Sequence, residues 1–179
     1  MLLPILHALL FGLLLQQTAA ADGEAASLAR RLSGVWKAEE TRTPRSTELD
    51  AKVFGPGAVD VRNVTLTVQP SGEATFRLAK AVVGRNGRRY APSVVEATLT
   101  IGNPVSSTAE RLSPTVTVVK AEERYLDGDH ERWPIEGARV SITVMNPTAA
   151  ELEFRFDTKD GRDSFGTQLK RRPGGPPTR

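Results

Sequence analysis

The chain contains no cysteine. A domain without cysteine has no disulfide staples and cannot be tethered as a lipoprotein through an N-terminal thiol, so its stability must come from burial. Histidine is almost as scarce, with His7 near the N-terminus and His130 as the one further copy. A zinc site built from several histidines is thereby excluded, and thiolate ligands do not exist. No Gly-x-Ser-x-Gly elbow, phosphate-binding glycine loop or metalloprotease helix occurs, so no catalytic constellation and no cofactor is expected. Asp, Glu, Lys and Arg are missing from residues 1–21, and beyond that segment no apolar run is long enough to cross a membrane.

The charge-free segment has a meaning of its own. Ala8-Leu9-Leu10-Phe11-Gly12-Leu13-Leu14-Leu15 is an apolar core too short for a span, and Ala19-Ala20-Ala21 offers small residues to a peptidase. Residues 1–21 are therefore expected to be a cleaved signal peptide, placing the mature protein in a periplasm or outside the cell with no stable membrane anchor. An uncleaved leader would tether the same domain outside the cytoplasm. The mature chain, roughly 158 residues, suits one domain, here 22–172, with a core of useful size. The net charge of +3 is concentrated at the C-terminus: Lys170, Arg171, Arg172 and Arg179 are four of 24 basic residues, leaving 20 against 21 acids. So short a basic tail does not amount to a nucleic-acid site, and the composition of 173–179 leads to the expectation of a disordered tail.

Hydrophobic periodicity orders the rest. Asp22 to Leu32 reads as a short helix, with Asp22 as cap, Leu28 and Leu32 on one face, and Arg30 and Arg31 near the C-terminal end. The period then becomes two. Gly34, Trp36 and Ala38 share one phase; so do Val64, Leu66 and Val68; Ala74, Phe76 and Leu78; Ala97, Leu99 and Ile101; Val116 and Val118; Val140, Ile142 and Val144; Leu152, Phe154 and Phe156; and Phe165, Thr167, Leu169 and Arg171. Pro70-Ser71-Gly72, Asn86-Gly87, Asp127-Gly128-Asp129, Asn146-Pro147 and Asp160-Gly161 turn the chain between them. Thr43 to Ala58 and Asn103 to Pro114 read as loops.

Eight strands, each with one apolar face and joined mainly by hairpins, must enclose a common core. Closing them into an eight-stranded antiparallel up-and-down barrel with a short N-terminal helix removes the exposed edges. An immunoglobulin-like sandwich is the competing solution, but its buried Trp belongs on an internal strand, whereas Trp36 stands on the first and Trp133 lies outside clean alternation.

With its short helix, Gly34-x-Trp36 on the first strand, eight strands and Arg171 on the last, the chain resembles the lipocalin and calycin superfamily in its bacterial lipocalin-like branch. The resemblance implies that Trp36 packs at the closed end beneath a basic residue, Arg171, or Arg172 if the register slips by one. It also implies that the connection 43–58 lies at the open mouth as a partial lid. The expected function is non-enzymatic binding of a small, largely apolar molecule. An eight-stranded barrel either holds one small ligand or is filled by its own side chains, and a filled barrel would serve as a structural or interaction module. Phe76, Leu99, Val118, Ile142, Phe154 and Phe165 are the expected ligand-lining residues.

Other features take plainer readings. Asp127-Gly128-Asp129-His130-Glu131 lacks the spacing of a calcium loop and reads as a turn, so no metal is expected. Arg85, Arg88, Arg89 and Tyr90 read as a solvated hairpin tip.

Overall fold

The computed structural model describes residues 26–108, 111–127, 131–145, 151–159 and 164–172. Helix α1 (residues 26–32) leads into β1 (Gly34–Lys37), β2 (Thr41–Pro44), α2 (Glu48–Phe54), β3 (Val59–Val68), β4 (Glu73–Val83) and β5 (Arg89–Ser107). There follow β6 (Leu112–Tyr125), β7 (Arg132–Pro134), β8 (Arg139–Val144), β9 (Glu151–Asp157) and β10 (Phe165–Arg171). Eight of these strands form a closed antiparallel barrel in the order β1-β10-β9-β8-β6-β5-β4-β3, and β1 closes it by pairing with β3 as well as β10. All eight correspond to the alternating segments of the sequence.

The barrel has a closed and an open end. At the closed end Gly34 pairs with Val68 and Trp36 lies between Leu66 and Arg171, while α1 lays the buried Leu28, Ala29 and Leu32 across the floor. The hairpin at Pro70-Ser71-Gly72 also belongs here. Gly72 takes a left-handed φ of 93°, its carbonyl accepts the Ile101 N–H at 2.8 Å, and a Cβ on it would stand 2.9 Å from the Ile101 oxygen. Only glycine fits there.

Two segments read as loops are more ordered than alternation suggested. The connection 43–58 contains the end of β2, which pairs with β3 from Thr41↔Arg62 to Pro44↔Val59, and the whole of α2. Thr47 caps this helix, its hydroxyl accepting the Asp50 N–H at 3.0 Å. The segment 103–114 is mostly strand, because β5 and β6 run on past Ile101 and Val116 through irregular pairings to Ser107↔Leu112. Polar sequence hid both, since a ribbon with solvent on each side has no apolar phase to show. The turns at 128–130, 146–147 and 160–161, the helix start at Asp22, the signal segment and the tail lie outside the described residues.

The wall is not bonded uniformly. Among the described residues, the registered ladder between β6 and β8 is the single pair Leu112↔Val144. Further along, β7 takes over the β6 edge at Glu122–Arg124, joined by Ile135 N–H to the Ala121 carbonyl at 2.9 Å. Val116 and Val118, the inward residues beside this seam, are half-buried, whereas Leu99, Leu152 and Phe154 are fully enclosed.

Candidate functional site

The closed end is held by Gly34, Trp36 and Arg171, and the geometry explains each. Gly34 has φ of 128°, a conformation open to glycine and strained for other residues. Trp36 is 2% exposed; its indole N–H donates to the Leu32 carbonyl at 2.8 Å. The Arg171 guanidinium lies 4.9 Å above the Trp36 ring and donates to the carbonyls of Arg31 at 2.6 Å and Ser33 at 2.8 Å. The carbonyls of 31 and 32 belong to the last turn of α1, where a helix leaves acceptors without intrahelical partners and favours a cation. Arg171 therefore caps the helix and covers the tryptophan at once, and Arg172, the alternative, instead donates its backbone N–H to the Val35 carbonyl at 3.0 Å.

The barrel interior is occupied by its own side chains. Phe76 stacks on Phe154 with centroids 4.6 Å apart and on Phe156 at 5.5 Å. Leu66, Leu99, Leu152, Phe154 and Leu169 are 0% exposed, and Phe76 and Ile142 are 1%. The five at 0% adjoin no space that admits a water molecule. Of the six expected ligand-lining residues, Phe76, Leu99, Ile142 and Phe154 thus meet one another or their neighbours in the core, Val118 lies half-buried at the seam, and Phe165 is buried beneath the mouth.

Above this packed level the inward phase of β3 to β6 continues, but its residues become polar. Arg62 pairs with Lys80, Lys80 with Ser93, and Ser93 with Tyr125, forming one cross-strand row. The concavity they border has a volume of about 240 Å³ and is lined chiefly by Arg45, Asp60, Arg62, Lys80, Ser93 and Tyr125. Arg45 bridges Asp50 at 2.7 Å and Asp60 at 2.9 Å. It also lies over the Phe54 ring, which meets Tyr90 edge-on, and so the segment carrying α2 is attached at the mouth. The Thr47 hydroxyl and then Arg45 hold the Asp50 carboxyl below the usual carboxylate range, and the same two aspartates raise Arg45. Lys80 Nζ stands 3.0 Å from Glu123 Oε1, within ion-pair reach but off the axis of a hydrogen bond. Arg62 rests over the Phe165 ring at 5.4 Å.

A larger groove of about 380 Å³ crosses the outer wall over Arg77, Glu96, Lys120, Glu122 and Arg132. Its charges satisfy one another: Lys120 and Arg132 both bind Glu122, depressing its carboxyl below the ordinary range, and Arg77 faces Glu96. The mouth is the better candidate, since it is built from inward-facing groups that meet at one end of a barrel. Among the described residues no three metal-ligating side chains come together.

Sequence reading did not single out Arg62, Lys80, Ser93 or Tyr125. A signal was present: Arg62 keeps the phase of Val64, Lys80 that of Leu78, and Ser93 that of Val95. Polar residues continuing an inward phase past the apolar stretch mark the level at which a barrel opens.

The chain matches no protein-family model and no curated protein. Among solved structures it is similar to a de novo designed fluorescence-activating β-barrel, at 21% identity over 80% of this chain and 96% of that one, with a TM-score of 0.34.

Proposed function

We propose that this protein is an exported, non-enzymatic barrel of lipocalin-like type that receives a small molecule at its mouth rather than in its interior. The observation that carries the reading is the contrast between central core residues at 0 to 1% exposure, among them Leu99, Ile142 and Phe154, and the concavity of about 240 Å³ above them. Ordinary ligand pockets start near 300 Å³, so the mouth suits a small molecule or one end of a longer one. Export rests on the charge-free leader, and the absence of catalysis rests on the missing nucleophile and metal motifs. The exposed Trp133 on β7, 57% accessible, favours a second reading in which the filled barrel presents an outer surface to a protein partner.

Native mass spectrometry of protein recovered from its own cell envelope tests the first reading. A stoichiometric small molecule lost on substitution of mouth residues is the expected result. Protein that carries no small molecule but retains a partner subunit would favour the second. N-terminal sequencing of the same sample should begin within a few residues of Asp22, and an intact Met1 would overturn the cleavage.

A further inference from the structure

Helix α2 buries no residue, and its Leu49 and Val53, one turn apart, are 70% and 55% exposed. An aliphatic pair at this spacing normally turns a helix toward a core, so a pair left in solvent marks a contact surface. Across the mouth Tyr125 and Leu126 are exposed as well, and the Leu126 N–H donates to the Pro92 carbonyl at 2.7 Å. Apolar surface thus collects at the open end.

The β4–β5 hairpin tip beside this helix supplies the second feature. Arg85, Arg88 and Arg89 are exposed there, and among the described residues none of them has a carboxylate partner. The tip is well ordered: the Gly84 N–H donates to the Arg88 carbonyl and the Gly87 N–H to the Gly84 carbonyl, each at 2.9 Å, and the Asn86 side-chain oxygen accepts the Arg88 N–H at 3.0 Å. The end of α2 is locked against it. A Cβ on Gly84 would stand 3.1 Å from the Phe54 carbonyl oxygen, the Phe54 and Tyr90 rings meet at 5.5 Å, and the Arg88 guanidinium lies 5.1 Å above the Tyr90 ring. The arginines and the aliphatic pair therefore belong to one unit of the rim. Around the mouth the charges balance, with Arg45, Arg62 and Lys80 against Asp50, Asp60 and Glu123, and Lys52 pairs with Glu48 at 2.8 Å. The tip arginines are left over.

We propose that the rim formed by α2 and the β4–β5 tip docks reversibly on a membrane surface rich in anionic headgroups, with Leu49 and Val53 entering the interface and Arg85, Arg88 and Arg89 facing the headgroup charges. Uncompensated cations beside exposed aliphatic side chains are the combination that holds a peripheral surface to such a bilayer. The surface is convex, a helix and a hairpin tip, so a protein partner would have to bring a matching recess, whereas a fluid interface adapts to it. The proposal stands independently of the mouth as a ligand site.

The test is flotation of the protein recovered from its cell envelope with vesicles of phosphatidylcholine alone or of phosphatidylcholine mixed with phosphatidylglycerol. Binding is expected with the mixed vesicles only, and it should fall as salt is raised. Arg85→Gln, Arg88→Gln and Arg89→Gln should each weaken it roughly fivefold. Leu49→Ser combined with Val53→Ser should weaken it roughly tenfold or more at an unchanged thermal midpoint, because neither side chain is packed in the free protein. Since the chain has no cysteine, one label can be placed at will. An environment-sensitive fluorophore on Val53→Cys should shift to the blue on the mixed vesicles, and one on Thr98→Cys, which lines the outer wall groove, should not. Equal flotation with both vesicles, or with neither, overturns the proposal. So does binding that ignores the tip substitutions, or a label that shifts at Thr98 and not at Val53. A defined complex with an acidic protein that requires the same arginines, with vesicles left unbound, would assign the surface to a protein and overturn the lipid. None of these outcomes alters the mouth reading, which retention of a small molecule tests separately.

Discussion

At Trp36 the indole N–H is donated to Leu32 while the ring face carries Arg171, so one truncation removes core volume, a helix-terminal hydrogen bond and a cation–π contact. Trp36→Ala is expected to cost about 3 to 5 kcal/mol in urea unfolding, as for other buried aromatics whose sites cannot collapse. A loss below about 1 kcal/mol would show that Trp36 does not support the floor. Arg171→Met should also destabilise, and the double variant should fall short of the sum by roughly 1 kcal/mol, since the two residues share the ring contact and the same helix end. At the mouth, Asp50 has a different signature. Its carboxyl is held down by Thr47 and Arg45, so its stabilising contribution is complete above the unfolded value, about 3.9, and is lost only as pH falls through the lower folded value. An NMR titration should place the Asp50 midpoint below the ordinary aspartate range, and Arg45→Gln should bring it back up. A midpoint that ignores Arg45 would dissolve the clamp between α2 and the mouth.

Elements differ in how they are secured. Helix α1 is fastened by buried leucines and by carbonyl caps, whereas α2 buries no residue and leaves Leu49 and Val53 facing solvent. It is attached through Arg45 and the Phe54–Tyr90 contact. Among the strands the weak element is the seam. With Leu112↔Val144 the one pair registered between β6 and β8 among the described residues, the amides of Thr115–Val119 and Arg139–Thr143 that face this seam have no registered ladder partners there. Hydrogen exchange should find them far less protected than the β3–β4 ladder, which pairs continuously from Val59↔Val83 to Val68↔Ala74. Uniform protection around the barrel would show that the seam is closed in solution. Gly72, in the turn between β3 and β4, lies against the β5 backbone at Ile101, and Gly72→Ala should cost about 1 to 3 kcal/mol for its left-handed backbone and the encroachment on Ile101.

For the whole molecule the decisive matter is whether the barrel encloses space. Ile142 is 1% exposed on β8, beside Phe154 on β9. Ile142→Trp should therefore overfill the core and cost about 1 to 3 kcal/mol or more in urea unfolding. A variant of unchanged stability would imply interior room that the packed core does not have. The two ends of the barrel divide the tasks: the closed end supplies rigidity through Trp36, Arg171 and α1, and the open end carries the polar row from Arg62 to Tyr125.

Local sequence determined the eight strands and their inward faces, because a period of two is written residue by residue: Val64-Leu66-Val68 and Leu152-Phe154-Phe156 are legible without any neighbour. It also marked Gly34, Trp36 and Arg171, whose roles depend on residue types suited to a floor. Closure of β1 onto both β3 and β10, the filling of the interior and the polar mouth were decided by tertiary structure. Whether Phe76 stacks on Phe154 or borders a void depends on the distance across the barrel, which no single strand encodes. The meeting of Arg62, Lys80, Ser93 and Tyr125 depends on the register of four strands, and a slip of one residue would have turned the same side chains to solvent.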